Sequence, residues 1–207
     1  MARDNQAIQD DIAYMRALAH EGRHAPLLAG PILVTAAIVF GAANLAQWAL
    51  LSGVVAASPW APVWLWLGAG AVFGITLAVL IGRMKTKPGF RSTGNRAVGI
   101  AWTTVGYGIF ATWLALMAMG FRTSDWSGMT IMPTVVFVAY GSSWMIAGAM
   151  TRTRWMTVVG LLSYVGAVAM GWFARDVTMY LLFTAMIFAV ALIPGLILMR
   201  QEPAEVI

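Results

Sequence analysis

The residues of this chain that could do chemistry inside an apolar environment are uncharged. Asn44, Gln47 and Trp48 follow an i, i+3, i+4 spacing, which places their side chains on one face of a helix. Three further apolar stretches carry hydroxyl groups, at Thr103, Thr104 and Tyr107, at Ser142 and Ser143, and at Ser163 and Tyr164. Such groups either hydrogen-bond between helices or line a shared pocket for a neutral or lipid-like ligand. The sequence leaves both roles open.

Residue type excludes several other chemistries from these stretches. All 21 Asp, Glu, Lys and Arg residues lie outside the apolar cores, and the chain has no cysteine. Proton-coupled transporters normally need a carboxylate within the membrane. Intramembrane haem sites need histidine from the helices, and serine proteolysis by a Ser–His pair needs one too. We therefore predict that the protein is not an enzyme and carries no cofactor.

The two histidines, His20 and His24, precede the first apolar stretch. Their i, i+4 spacing beside Glu21 could hold a metal ion on a continuous helix. However, Gly22 interrupts that helix, and no third ligand is evident. We predict that the pair binds no metal.

The composition indicates that the helices carrying these residues lie in a membrane. Hydrophobic residues make up 60% of the 207 and charged residues 10%, whereas a soluble domain has about 45–50% and about 25%. Spanning a bilayer takes about 20 apolar residues in a helix. Six stretches of suitable length are present, at Pro26–Leu51, Pro62–Gly82, Ala97–Gly120, Met129–Met150, Trp155–Phe173 and Val177–Met199.

The basic residues divide unequally between the two ends of these stretches. If the helices alternate in direction, eleven basic residues share one side and only Arg122 and Arg175 lie on the other. Cytoplasmic loops carry the excess of Lys and Arg in membrane proteins. This split predicts a bacterial inner-membrane protein with both termini in the cytoplasm. The net charge of +5 then reflects topology, and we expect no direct binding of nucleic acid.

These observations predict an all-α fold, a bundle of six transmembrane helices over residues 26–200. Residues 1–25 are predicted to form a cytoplasmic amphipathic helix, because Ile8, Ile12, Met15 and Ala19 recur at helical spacing. Residues 201–207 form a short cytoplasmic tail. The amphipathic helix either lies in the headgroup plane or docks on another protein.

Small residues and aromatic rings suggest how the helices pack. Gly70 and Gly74 form a GxxxG pattern that predicts close helix packing and leaves a homo-oligomer open. Pro194-Gly195 predicts a kink in the sixth span. The tryptophans near the ends of the spans, Trp102 and Trp155 among them, predict two interfacial belts.

The ends of the chain carry a resemblance. Asp11-Ile-Ala-Tyr-Met-Arg16, ahead of six spans and a short tail with glutamates, resembles uncharacterised small six-helix membrane proteins of bacteria. Members of that group are often encoded beside a winged-helix transcriptional regulator. The resemblance implies a regulatory context and no catalytic residue.

The leading hypothesis is a non-enzymatic membrane sensor or scaffold whose cytoplasmic helix and basic loop contact a protein partner. A channel or carrier for a neutral, cationic or lipid-like solute is the alternative, lined by the intramembrane Ser, Thr, Asn and Gln side chains. A third hypothesis is an accessory subunit of a larger membrane complex. A continuous polar stripe through the bundle would favour the carrier.

Overall fold

The structure, a computed structural model, describes residues 27–87, 89–90 and 92–201, except for the side chain of Thr93. This part of the chain is all-α, with no strand. The predicted amphipathic helix of residues 1–25 and all of the tail except Gln201 lie outside the described residues. Six helices are long and apolar enough to span a membrane: α1 (Gly30–Leu51), α2 (Ala61–Met84), α3 (Thr93–Thr123), α4 (Met132–Thr151), α5 (Arg154–Trp172) and α6 (Met179–Gln201).

Prolines and a serine cap fix where several spans begin. α1, α2 and α4 each have a proline in the first two helical positions, where the missing N–H costs nothing. The Ser92 hydroxyl accepts a hydrogen bond from the Asn95 N–H at 3.3 Å and caps α3. A 3₁₀ turn, Ser127–Ile131, leads directly into α4. The six predicted spans are confirmed, with ends that differ by a few residues.

Four of the helices form the packed core. α1 runs along α6, and α4 runs along α5. α6 also meets α4, where the rings of Phe137 and Phe183 lie 5.0 Å apart. α2 lies on the outside of α1, and α3 on the outside of α4. α2 has no buried residue, so its surface is available to lipid or to a partner.

Pairs of glycines mark two close helix contacts. A Cβ atom at Gly30 would lie 2.8 Å from the Gly195 carbonyl oxygen, and one at Gly195 would lie 3.0 Å from the Gly30 oxygen. In the second pair, a Cβ atom at Gly160 would lie 3.2 Å from the Gly141 oxygen. Only glycine lets the backbones approach so closely.

The GxxxG pattern of α2 does not take part in this packing. A Cβ atom at Gly70 or Gly74 would meet nothing within 4 Å, and both residues are exposed. The predicted close approach is therefore wrong for contacts within the described chain. The glycine contacts lie instead between α1 and α6 and between α4 and α5, because those helices bury the core side chains.

The sixth span continues through Pro194 where a kink was predicted. Residues Phe188–Leu192 widen into a π-helical segment, and the α-helix resumes at Ile193. Proline has no N–H, so the carbonyl four residues earlier, that of Val190, loses its usual α-helical donor. The Trp144 indole Nε1 of α4 donates to this oxygen at 2.9 Å in a buried position. One side chain thus satisfies the backbone that the proline disrupts.

We expect Trp144→Phe to lower the free energy of unfolding by about 1–3 kcal/mol, because the buried Val190 carbonyl loses its donor. In a Pro194→Ala background residue 194 has its own N–H, so the same substitution should cost less. An unfolding titration in mixed micelles, run as a double-mutant cycle, measures the difference. Trp155→Phe, which replaces a neighbouring indole by a smaller ring and leaves this hydrogen bond in place, should show no coupling to Pro194. Purely additive effects of the Trp144 and Pro194 substitutions would contradict the interpretation.

Candidate functional site

Of the predicted polar residues of α1, Gln47 lies in the contact between α1 and α6. Asn44 is buried, and its Nδ2 donates to the Phe40 carbonyl oxygen of the same helix at 2.8 Å. Gln47 is also buried, and its side chain interacts with Tyr180, while its Oε1 has no partner. Trp48 is partly buried toward the end of the helix. Gln47 therefore links α1 to α6, whereas the hydrogen bond of Asn44 stays within α1.

Thr184 of α6 belongs to the same contact and was missed by the sequence analysis. Its hydroxyl lies 3.2 Å from the Gly41 carbonyl oxygen of α1 and 3.0 Å from the Tyr180 oxygen of its own helix. It is a threonine within an otherwise apolar stretch, and that feature of the sequence could have identified it. The partner across the helix contact could not be read from sequence.

A second polar group lies between α3, α4 and α5. The hydroxyls of Ser142 and Tyr164 are 3.1 Å apart, and Ser142 also bonds the Val138 carbonyl oxygen at 3.0 Å. Ser143 is fully buried, and its Oγ has no hydrogen-bond partner. Beside them a groove of about 350 Å³ separates α3 from α4. Its lining consists of Ala97, Ile100, Ala101, Thr104, Val105, Ser142, Ser143 and Ile146.

Three of the predicted hydroxyl residues lie away from this groove. Thr103 and Tyr107 share an exposed face of α3, since four residues make about one helical turn. The Thr103 hydroxyl donates to the Gly99 oxygen of its own helix at 2.8 Å. Ser163 is fully buried, and its hydroxyl donates to the Val159 oxygen at 2.8 Å. The structure therefore brings Thr104, Ser142, Ser143 and Tyr164 together and leaves the other predicted residues elsewhere.

Trp102 and Trp155 occupy an aromatic cluster inside the bundle. The Trp102 ring lies 5.0 Å from Tyr140 and 5.6 Å from Trp144, and Trp155 lies 5.7 Å from Trp144. The Trp102 Nε1 is buried without a partner. The predicted interfacial belt explains why these tryptophans lie near helix ends, but it does not explain their contacts with other rings. The ring contacts show that they also hold α3 and α5 against α4.

A second cavity, of about 430 Å³, lies at the C-terminal end of α5. Val165, Val168, Ala169, Trp172 and Phe173 line it, and none of these side chains can bind a polar group except through the Trp172 indole. Trp172 and Val168 are strongly exposed. This surface is typical of contact with lipid.

Two aspartates order the loops at one end of the bundle. Asp125 accepts from the Ser127 N–H at 2.8 Å and from its hydroxyl at 3.0 Å, and Asp176 bonds Thr178 in the same way at 2.8 Å. These hydrogen bonds, backbone first, hold the pKa of both carboxyls below its ordinary value, with a smaller effect of Arg175 on Asp125. Any stability they contribute is present above the ordinary pKa and is lost as the pH falls through the lowered value.

Within residues 27–87, 89–90 and 92–201, no three His, Cys, Asp or Glu side chains form a group that could hold a metal ion. His20 and His24 lie outside these residues. No protein-family model, curated protein or solved structure matches the chain.

We expect Thr184→Val to lower the free energy of unfolding by about 0.6 kcal/mol, and by no more than about 2 kcal/mol, because it removes a hydrogen bond between α1 and α6. Thr103→Val is the matched control, since the Thr103 hydroxyl bonds only its own helix on an exposed face. Unfolding titrations of the two variants in the same micelles make the comparison. An equal cost in both would show that the Gly41 contact adds nothing.

Proposed function

We propose that this protein is a non-enzymatic integral membrane scaffold or sensor that acts by binding a cytoplasmic protein at one end of its bundle. The observation that carries the proposal is the concentration of exposed cationic side chains at that end. They are Arg83, Lys85, Arg96, Arg152, Arg154 and Arg200.

Contacts between helix ends support the assignment of these residues to one end. The Leu28 N–H donates to Asn95 Oδ1 at 2.9 Å, which joins the start of α1 to the start of α3. Gly30 packs against Gly195, which joins α1 to the end of α6, and Gly148 packs against Thr157, which joins α4 to α5. Because α1 begins here, residues 1–26 also connect to the bundle at this end.

Charge supports the orientation of this end toward the cytoplasm. The opposite end has Arg122 and Arg175 together with Asp125 and Asp176, so its formal charges cancel. An excess of Lys and Arg on one side is typical of the cytoplasmic face of inner-membrane proteins. The resemblance to proteins encoded beside winged-helix regulators supports a regulatory partner at this face.

The packing of the core supports a role by contact rather than by transport. The interior between α4, α5 and α6 is filled by large side chains with less than 2% exposure: Phe137, Trp144, Met170, Met179, Ile187 and Val190. The two polar groups lie on different helix contacts, one between α1 and α6 and one beside α3. A carrier or channel needs polar groups that continue across the membrane.

The orientation is tested by single cysteines, since the chain has none of its own. We expect cysteines at Ser58 and Ser127 to react with an impermeant maleimide in intact cells, because both are exposed at the end with balanced charge. A cysteine at Thr86, exposed at the basic end, should react only after lysis. Reaction of the Thr86 variant in intact cells would overturn the orientation.

The partner contact is tested by a photoreactive benzoylphenylalanine at Arg152, with Arg175 as the matched control. Both arginines are exposed and both have a left-handed backbone, with φ of 54° and 76°, so the replacement strains them alike. We expect a discrete protein adduct from position 152 in cells and none from position 175. Arg83→Gln with Lys85→Gln should weaken the adduct without changing expression.

Adducts of equal strength from both ends would contradict the proposal. Proteoliposomes of the purified protein provide the second arm, since a scaffold adds no solute permeability. Flux of a neutral solute such as glycerol above that of empty vesicles would favour the channel or carrier. Adducts formed only at α2 or α3 within the membrane would favour an accessory subunit.

A further inference from the structure

Ser143 differs from several other intramembrane hydroxyls of the described chain. Ser142, Ser163 and Thr103 each bond the carbonyl oxygen four residues earlier in their own helix. Ser143 is 0% exposed, yet its Oγ bonds neither that carbonyl nor another protein group. A buried hydroxyl without a partner costs about 1–3 kcal/mol. This cost is removed if a bound molecule supplies the missing hydrogen bond.

The groove beside Ser143 has the size and the lining of a ligand site. Its volume of about 350 Å³ lies within the range of about 300–1,000 Å³ found for small-molecule pockets. Its polar lining residues are Thr104, Ser142 and Ser143, and all its other lining residues are aliphatic. Ser142 already bonds Tyr164 and Thr104 is exposed, so Ser143 is the residue of this lining whose hydroxyl is buried without a partner.

The position of the groove defines the chemistry of its occupant. Thr104 and Ile100 are exposed on the membrane-facing side, so a molecule can enter from the lipid. The nearest cation along α3 is Arg96, eight residues from Thr104, which is about 12 Å at 1.5 Å per residue. A phosphate or carboxylate at the depth of Ser143 would have no positive partner and would be unstable there.

We propose that the groove between α3 and α4 binds an uncharged, lipid-soluble molecule. Its hydroxyl or carbonyl group hydrogen-bonds Ser143 once that side chain, which no hydrogen bond holds in place, rotates toward the groove. The aliphatic lining holds the hydrocarbon part of the molecule. This site is separate from the partner contact at the basic end. Either proposal can therefore be wrong while the other is right.

The test uses the full-length protein in nanodiscs and a diazirine-bearing long-chain alcohol as the probe. The matching hydrocarbon without the hydroxyl and the matching carboxylic acid are the comparison probes. We expect the alcohol to label residues 97–105 and 142–146 in preference to both. Ser143→Ala should weaken this labelling about threefold or more, as expected for one hydrogen bond within a membrane.

Ser163→Ala is the matched control, because Ser163 is equally buried but its hydroxyl is bonded to Val159. It should leave the labelling unchanged. Without probe, Ser143→Ala should keep or raise the unfolding midpoint, since it removes an unpartnered hydroxyl. Ala97→Leu, which fills the groove from its partly exposed end, should also reduce labelling.

Three results would overturn the proposal. Equal labelling by the hydrocarbon would show that the groove holds only acyl chains. Stronger labelling by the carboxylic acid would show that the occupant is charged. A lower unfolding midpoint for Ser143→Ala without probe would show that the hydroxyl serves the fold itself.

Discussion

The bundle depends on the hydrogen bond from the Trp144 indole to the Val190 carbonyl oxygen. Pro194 deprives that carbonyl of its usual donor, and no water is available inside a membrane to replace it. The indole can reach it only if α4 lies directly against α6. Trp144 in turn packs against Trp102 of α3 and Trp155 of α5, so one side chain connects four helices. The position of α6 then places Gly195 against Gly30 and fixes α1.

Close packing is concentrated in four of the six helices, although glycine is present in all of them. The glycines of α1 and α6 meet backbone or side chains of other helices, whereas those of α2, such as Gly68, Gly70 and Gly74, have open space beside them. Lipid is as apolar as a leucine side chain, so an apolar helix gains little by burying itself. Helices therefore pack where close backbone contact and hydrogen bonds stabilise the contact, and α2 and α3 remain on the outside.

Polar groups inside the bundle differ in how many of their hydrogen bonds are made within the protein. This difference distinguishes groups that stabilise the fold from a group that can bind a ligand. Thr184 bonds carbonyl oxygens of both α1 and α6, and Asn44 bonds its own helix, so both have a structural account. Ser143 has none, and it is the one among them that lies beside a groove. Gln47 Oε1 and Trp102 Nε1 are also unpartnered, but neither lines that groove.

The sequence by itself determined the six spans, because apolar length and charge exclusion are properties of each segment alone, and Pro31, Pro62 and Pro133 mark where three of them begin. It also predicted that the basic residues share one end, since alternating direction needs no knowledge of contacts. Tertiary structure alone decided which polar residues meet. Thr103 and Thr104 are adjacent in sequence, yet a turn of about 100° per residue puts one on an exposed face and the other in the groove. The GxxxG pattern of α2 does not mark a contact within the described chain, because which helix lies opposite a given face is set by the whole bundle.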